Sequence, residues 1–403
     1  MKTEALTANQ VAERLGVELS TVYAYASRGA LTRRPGPDGR RSRYDADEVE
    51  LLARKGRPRS VRRRPGAVDV VIGTTVSEIG DGWIRYRGHD LVELAGRHRY
   101  EDVAHLLWTG DLPAPATGAR VDHGPSGGDG ADQRAVTAAA ERAATALPRC
   151  APVSSRLAVG VAAAAALLPP DHAEAAAALV GALVAALPLV GGRAEPDASV
   201  AARLWPRFSP LAATPARIAA LDLALVLLAE HELATSTLAV RVAASTGAGP
   251  ASCLLAGLGT VSGPLHGQAA VRVHRRLLAA VSSSPSGQPA TDPRPHADGF
   301  GHLVHQGGDP RFDPLHAAVG RLASPTRWAV VQADLAGHAT AGAPPPNVDA
   351  ALGALAFVAR AEPGTTEAVF AIARTAGWLA HAFEEADELP LRYRGRTLYR
   401  GPR

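Results

Sequence analysis

The chain has 403 residues, of which 46% are hydrophobic and 20% charged, a composition typical of a globular protein with one large core or two to three domains. The apolar runs 157–168 and 175–190 are too short or too broken by proline to predict a membrane span, and the first ten residues lack the apolar stretch of a secretory signal. With two cysteines in the sequence, we expect no disulfide framework, and a reducing cytoplasm is the expected compartment.

The net charge of +4 is unevenly distributed along the chain. Residues 1–66 contain 15 Lys and Arg and 8 Asp and Glu, whereas the rest of the chain contains 28 and 31. The basic excess therefore lies in the N-terminal segment, and such a surface favours phosphate-bearing partners such as nucleic acid.

A pair of short helices is predicted near the N-terminus. Thr7 and Gln10 have the spacing of a capping box, and the apolar pattern that follows them ends at Gly16. Ser20 is expected to cap a second helix over about residues 21–28. Two short helices joined by a tight glycine-containing turn are typical of a helix-turn-helix, whose second helix normally enters the major groove of DNA.

The sequence RRPGPDGRRSRY at 33–44 predicts a basic hairpin, or wing, and Asp45 with Glu48 could cap a third helix. Residues 1–53 together resemble the winged helix-turn-helix of the MerR and excisionase type. The alternative is a protein-binding module that kept this fold, because a fold alone does not fix function. The resemblance implies contacts with duplex DNA from Thr21, Tyr23, Ser27, Arg28, Arg40 and Arg41.

A basic segment follows this domain. Residues 54–64 include seven Lys and Arg and no acid, and Pro58 and Pro65 disfavour a helix. The segment 54–66 is interpreted as a solvated linker. The alternative is contact with DNA phosphates, which would give salt-sensitive, sequence-independent affinity.

Three short motifs far apart in the chain place two histidines beside glycine and add one carboxylate: GPLHG at 263–267, GFGH at 299–302 and PNVD at 346–349. Glycine lets the backbone turn sharply, so that a ligand can approach the neighbouring side chain closely. Two such histidines and an aspartate could move protons at two carbon centres. Spacing alone leaves a metal site open, although the single carboxylate and the glycine contexts match no zinc pattern.

Together with AEHE at 229–232, DPR at 309–311, FAIAR at 370–374 and the stretch 84–113, these motifs resemble the citrate synthase family. In the last stretch a Tyr-Arg-Gly turn precedes an amphipathic helix that ends in Gly-acid-Leu-Pro. The resemblance extends over roughly residues 67–403 and is weak at 114–152 and 282–298. Helical spacing of apolar residues over 217–246 predicts two buried helices, or one bent helix, with His231 facing a cleft.

The resemblance implies an all-α, two-domain citrate synthase fold behind the helix-turn-helix domain. The large domain would comprise 67–262 and 363–403, and the small domain 263–362. The family is dimeric, so a homodimer is expected. The implied reaction condenses acetyl-CoA with oxaloacetate to give citrate and CoA, with the CoA thioester as a substrate and no permanently bound cofactor.

The resemblance also assigns catalytic roles. Asp349 takes the position of the base that removes a proton from the acetyl methyl group. His266 takes the position of the hydrogen-bond donor that helps to turn the thioester into an enol. His302 takes the position of the group that gives a proton or a hydrogen bond to the ketone oxygen. Each proton-transfer group of this kind typically increases the reaction rate by ~10²- to 10⁴-fold.

Substrate carboxylates need cations in a fork geometry, and Arg311 and Arg374 match family arginines. His231 takes the position of the substrate-binding histidine. Arg394 takes that of an arginine that reaches into the partner subunit's site. The family's proline after it is replaced here by Gly395, so Arg392 and Arg396 are the substitutes.

Coenzyme A binding is predicted at Gly299, Gly301, Arg272 and Arg275. This segment departs from the family pattern, because Asp298 stands in place of a proline, Leu303 in place of a basic residue, and His305 where an aromatic residue is common.

Two other functions remain open from the sequence. Propionyl-CoA in place of acetyl-CoA would give 2-methylcitrate, a difference of one methylene worth about 1–3 kcal/mol. Alternatively, the body binds a metabolite and regulates DNA binding, with weak or absent catalysis. An intact set of base, histidines and arginines favours an enzyme, because a sensor needs no base.

Overall fold

The structure is a computed structural model. It describes residues 5–15, 17, 19–27, 31–35, 42–46, 48–49, 70–114, 130–195, 198–282, 298–395 and 401. The chain divides into two compact units, 1–71 and 72–403, which are described separately.

The N-terminal unit combines two helices with a small antiparallel sheet. Its elements are β1 (Ala5–Thr7), α1 (Ala8–Leu15), α2 (Leu19–Ser27), β2 (Arg33–Pro35) and β3 (Ser42–Asp45), and the sheet has the order β1-β3-β2. The capping box forms, since the backbone N–H of Thr7 donates to Gln10 Oε1 at 2.8 Å and that of Gln10 to Thr7 Oγ1 at 3.3 Å. The side chains fully buried between helices and sheet are Val11, Val22, Leu31, Tyr44 and Val49.

The predicted helix pair is thus confirmed, and β2 and β3 pair as the basic hairpin requires, with one correction. The second helix begins at Leu19, so Ser20 lies inside it and is not its cap. Glu48 accepts hydrogen bonds from the backbone and hydroxyl of Thr32, at 2.6 and 2.7 Å, and so ties the segment after α2 to the end of the unit. The strand β1 was not expected, because its three residues are too few to show an alternation of apolar and polar side chains.

The larger unit begins with an antiparallel sheet of β4 (Ser77–Gly80), β5 (Trp83–Tyr86) and β6 (His89–Asp90) and is otherwise helical in its described ranges, as the all-α prediction requires. Its α-helices are α3 (Leu91–Arg97), α4 (Tyr100–Thr109), α5 (Gly130–Thr145), α6 (Val153–Ala164), α7 (His172–Ala185), α8 (Val200–Phe208), α9 (Pro215–Leu228), α10 (Thr235–Ala244), α11 (Pro250–Val261), α12 (Ala269–Ser282), α13 (Phe312–Leu322), α14 (Pro325–Thr340), α15 (Val348–Val358) and α16 (Thr365–Ala386).

The 22-residue helix α16 lies at the centre of the core, and α4, α7, α9, α10 and α11 pack against it. Small residues allow these helices to approach closely. A Cβ added at Gly257 would lie 2.9 Å from Val240 and 3.0 Å from the Trp378 indole, so nothing larger fits there without a shift. No helix in the described ranges is long and apolar enough to cross a membrane.

The structure confirms one local prediction fully and a second only in part. Residues 217–246 form α9 and α10 with a break at 229–234, which confirms two buried helices around His231. The amphipathic helix expected within 84–113 is α4, whose C-cap is Gly110, whereas the separate helix α3 before it was not expected. The backbone N–H of Tyr100 begins the second helix and donates to Asp222 at 3.2 Å.

Candidate active site

The GFGH loop and the start of α15 are joined through Asn347. Its backbone N–H donates to the Gly299 carbonyl at 2.9 Å, and its side-chain amide donates to the Gly301 carbonyl at 2.7 Å. Its Oδ1 accepts from the backbone of Asp349 at 3.0 Å and so caps α15. The loop that carries His302 and the turn that carries Asp349 are therefore held together.

The glycines of this loop have a structural reason. Gly299 and Gly301 have φ of 85° and 73°, in the left-handed region that favours glycine. A Cβ on Gly299 would also lie 2.8 Å from Val273 and 3.1 Å from Ala350. Their predicted role in coenzyme A binding stays a prediction.

Arg311 is 4% exposed and forms a two-pronged ion pair with Asp309, with Nε and Nη2 each 2.9 Å from a carboxylate oxygen. Asp309 also accepts from the backbone of Val348 at 3.0 Å. Burial alone would raise the pKa of Asp309, but the Arg311 guanidinium holds it well below its usual range. One buried carboxylate thus fixes both Arg311 and the first turn of α15.

Asp349 lies in that first turn and is partly buried. Burial raises the pKa of its carboxyl to about 6, against the opposing effect of Arg311. A carboxylate with a pKa near neutrality is a better base than an ordinary aspartate and is still largely ionised at pH 7.

His302 has a defined tautomer. Its Nδ1 accepts hydrogen bonds from the backbone N–H groups of Val304 and His305, at 3.1 and 3.2 Å. Burial, and then Arg311, lowers the pKa of the ring to about 4, so it is neutral at pH 7. A neutral ring that accepts at Nδ1 carries its proton on Nε2, which makes Nε2 a hydrogen-bond donor.

His231 lies in the break between α9 and α10, with its ring centroid 4.9 Å from that of His302. Burial and then the charges of Arg311 and Arg374 hold its pKa well below the usual range. Its Nε2 is buried and has no hydrogen-bond partner among the described residues. Such an atom costs stability unless a bound polar group satisfies it.

His266 contacts a serine that the sequence analysis did not assign to the site. Its Nε2 lies 2.8 Å from Ser236 Oγ, and that oxygen also accepts from the Trp378 indole N–H at 3.2 Å. Ser236 is fully buried, so its hydroxyl proton needs an acceptor, and His266 Nε2 satisfies it. The proton of His266 then lies on Nδ1. The polar group Thr235, Ser236 and Thr237 at the start of α10 was the one sequence signal for this contact.

Arg374 is 2% exposed, and its Nε donates to the Leu228 carbonyl at 2.9 Å. Its guanidinium lies over the Phe370 ring, 4.7 Å from the centroid. Burial lowers its pKa from the usual arginine value, although the group stays cationic at neutral pH. No carboxylate in the described residues lies within ion-pair distance of it.

The structure brings six predicted residues into one electrostatic neighbourhood. The charge of Arg311 acts on His231, His302 and Asp349, and that of Arg374 acts on His231, His266 and Asp349. The residues so gathered are His231, His266, His302, Arg311, Asp349 and Arg374.

Other predicted residues lie elsewhere or are otherwise engaged. Arg272 forms a two-pronged ion pair with Asp298, at 2.6 and 2.8 Å, and Arg275 is exposed on the same helix. Arg394 is exposed, while Arg392 pairs with Glu385 of its own chain at 2.6 Å. Neither the phosphate contacts nor the partner-subunit contact is tested by this geometry.

In the helix-turn-helix unit, Thr21 is partly buried on α2 and Tyr23 is 53% exposed there. Ser27 ends the same helix. The predicted DNA contacts at Arg28, Arg40 and Arg41 lie outside the described residues.

Behind His231 runs a chain of buried charged groups. Arg241 is fully buried, and it donates from Nε to Glu385 and from Nη1 to His381 Nδ1, both at 2.7 Å. Arginine has no acceptor, so His381 carries its proton on Nε2 and donates it to Glu230 Oε1 at 3.1 Å. Glu230 directly precedes His231 in the chain, so these groups fix the backbone that carries His231.

Comparison with known proteins matches the two units separately. The profile of the citrate synthase C-terminal domain matches residues 67–396, and that of a helix-turn-helix domain matches residues 5–57. Putative citrate synthase 2 of Mycobacterium tuberculosis is 34% identical over 198 residues, 47% of this chain and 52% of that protein. The chain therefore spans about half the length of that relative. The 2-methylcitrate synthase of the same species is 28% identical over 356 residues, 80% of this chain and 87% of that protein.

Solved structures show the same fold. Citrate synthase from Thermoplasma acidophilum, solved with carboxymethyl coenzyme A and oxaloacetate, superposes with a TM-score of 0.66 at 24% identity, covering 83% of this chain and 94% of that one. The enzyme from Pyrobaculum aerophilum gives a TM-score of 0.61 at 23% identity, with coverage of 83% and 91%. Because the citrate synthase profile matches well over half of the chain, this protein belongs to the citrate synthase family and has an N-terminal helix-turn-helix domain.

Proposed function

We propose that this protein condenses a short acyl-CoA, in the first instance acetyl-CoA, with oxaloacetate to give citrate and free CoA. The observation that carries the proposal is the gathering of two guanidinium groups, three neutral histidines and a carboxylate of raised pKa in one place. Guanidinium groups suit the two carboxylates of oxaloacetate, and the remaining groups suit the making and use of an enol.

In the first step, Asp349 removes a proton from the methyl carbon of the thioester. The electrons of that C–H bond form the carbon–carbon double bond, and the thioester oxygen gains a hydrogen bond or proton from His266 Nδ1. Its partner Ser236 holds the His266 ring in the tautomer that can donate.

In the second step, the enol carbon attacks the ketone carbon of oxaloacetate. The thioester carbonyl reforms as its oxygen returns its proton or hydrogen bond to His266 Nδ1, and the ketone oxygen takes a proton from His302 Nε2. Arg311 and Arg374 hold the carboxylates, so that the ketone faces the enol. Water then hydrolyses the thioester bond and releases CoA and citrate.

A thiol-release assay with acetyl-CoA and oxaloacetate tests the proposal, with Asp349→Asn as the inactive control. Parallel reactions with propionyl-CoA decide between citrate and 2-methylcitrate formation, a choice that the 2-methylcitrate synthase relative keeps open. Oxaloacetate binding without thiol release from either thioester would refute the enzyme and favour a metabolite sensor.

We further propose that the N-terminal unit binds duplex DNA. The support is its helix-turn-helix fold, with Tyr23 exposed on the second helix, and its excess of basic residues. Binding to a mixed pool of duplexes should weaken steeply between 50 and 200 mM salt. Removal of residues 1–66 should abolish it and leave condensation intact. No binding at 50 mM salt would favour a protein-binding module instead.

A further inference from the structure

In the cluster of His231, His302 and His305, His305 is the one histidine to which neither the sequence nor the proposed reaction gives a role. The three ring centroids lie 4.7 to 5.7 Å apart, and one nitrogen of each ring lies within 4.8 Å of the others. His305 is 2% exposed. The cluster therefore presents three imidazole edges to one small space.

Both ring nitrogens of His305 lack a hydrogen-bond partner in the described part of the chain, as does Nε2 of His231. The Gly80 carbonyl lies near the His305 ring and acts to raise its pKa, but no hydrogen bond joins them. Buried polar atoms are normally satisfied, and each exception needs an explanation. Orphaned nitrogens that face the same space point to a polar ligand that binds among them.

Two classes of ligand suit three imidazoles, a transition-metal ion and a multi-oxygen anion. A metal ion needs a lone pair from each ring, but the free lone pair of His302 is already used by two backbone N–H groups, so its other nitrogen is a donor. At His231 the charges of Arg311 and Arg374 also repel a cation and attract an anion, whereas at His305 the carboxylates of Asp309 and Asp81 act against Arg311. The engaged lone pair of His302 therefore decides in favour of the anion.

We infer that His305 is a third imidazole of the substrate site and donates a hydrogen bond directly to an oxygen of the bound keto acid. This inference rests on the proposed function and adds a binding residue at a position where the sequence departs from its family. The backbone N–H of His305 holds His302 Nδ1, whereas its side chain is free to serve the ligand. A substitution of the side chain therefore leaves the tautomer of His302 in place.

The experiment compares His305→Phe, which keeps a flat ring without a donor, with His305→Gln, which keeps an N–H donor. The matched control is His274→Phe, because His274 is another buried histidine without a hydrogen-bond partner among the described residues, and it lies outside the cluster. Calorimetric titration with oxaloacetate measures binding without turnover, and thiol release gives KM and kcat.

We expect His305→Phe to weaken oxaloacetate binding and raise its KM by about 10- to 100-fold, with kcat changed less than about threefold. His305→Gln should recover part of the loss, and His274→Phe should bind like the unaltered protein. Binding by His305→Phe within about twofold of the unaltered protein would overturn the inference. If His305→Phe does not fold, as judged by circular dichroism, His305→Ala replaces it in the same comparison.

Two outcomes distinguish failure of this inference from failure of the proposed function. No oxaloacetate binding by the unaltered protein would refute the proposed function itself. One-to-one binding of Zn²⁺ that is lost in both His305 variants, with oxaloacetate binding unchanged, would overturn the anion assignment and identify the cluster as a metal site.

Discussion

Replacement of His274 with leucine is expected to make the stability of the helical body less sensitive to acid. His274 is fully buried on α12, and neither ring nitrogen has a hydrogen-bond partner in the described ranges. Burial, and then Arg327 and Arg275, lowers its pKa from 6.5 to about 4. In the unfolded chain this imidazole gains a proton as the pH falls through about 6.5, whereas the folded protein gains it only near pH 4.

The unfolded state therefore binds more protons between these values, and the free energy of unfolding falls as the pH falls through that window. At pH 5 the pH lies about 1.5 units below the unfolded pKa, which corresponds to a loss of about 2 kcal/mol relative to pH 7.5. Leucine has no such proton to gain, so its variant should lose about 2 kcal/mol less.

Urea denaturation of both full-length proteins at pH 7.5 and pH 5, followed by tryptophan fluorescence, measures this difference. All five tryptophans lie between residues 83 and 378, so the signal reports on the helical body. Subtraction of one protein from the other cancels the acid sensitivity of the groups that they share. A stability difference that is the same at both pH values, within about 0.5 kcal/mol, would refute the argument that burial suppresses protonation of His274.

Three further predictions concern the proposed active site. Asp349→Asn should lower kcat by ~10²-fold or more with oxaloacetate binding largely intact, and near-normal turnover would remove Asp349 from the mechanism. In the unaltered protein, kcat/KM should decrease as the pH falls below about 6, because Asp349 gains a proton there. Ser236→Ala should remove the hydrogen bond that keeps the proton of His266 on Nδ1 and should lower kcat by about 10-fold or more. An unchanged kcat would show that Ser236 contributes packing alone. Arg394→Ala and His302→Ala should each be nearly inactive alone, and co-expression should restore activity if Arg394 enters the partner subunit's site; a proven heterodimer that stays inactive would contradict the shared site.

Local patterns predicted those parts of the fold that local physics determines. The capping box at Thr7 and Gln10 begins α1 where expected, and the basic hairpin forms β2 and β3. The division of 84–113 into two helices was missed, although Gly96 lies one residue before the first helix ends. Its second helix starts at Tyr100, whose backbone bonds Asp222, and a contact between residues 122 positions apart is invisible to a local pattern.

The candidate site shows the same limit. Resemblance of short motifs identified His231, Arg311 and the other groups that the fold brings together, since their identity is written in the sequence. The resemblance could not reveal which of these groups are hydrogen-bond partners of one another. The bond between Ser236 and His266 depends on how α10 packs beside the GPLHG turn. The orphaned ring of His305 depends equally on two segments, the break before α10 and the loop at 301–305, that meet only in space.

The buried chain from Glu230 through His381 and Arg241 to Glu385 also constrains how this sequence can drift. Loss of one member leaves a buried polar or charged neighbour without that partner, which costs more than a surface ion pair contributes. Single substitutions along the chain are therefore expected to lower stability more than a joint replacement by apolar residues of similar volume. We expect related proteins to keep the whole set or to have exchanged it together, so that these four positions are inherited as one character.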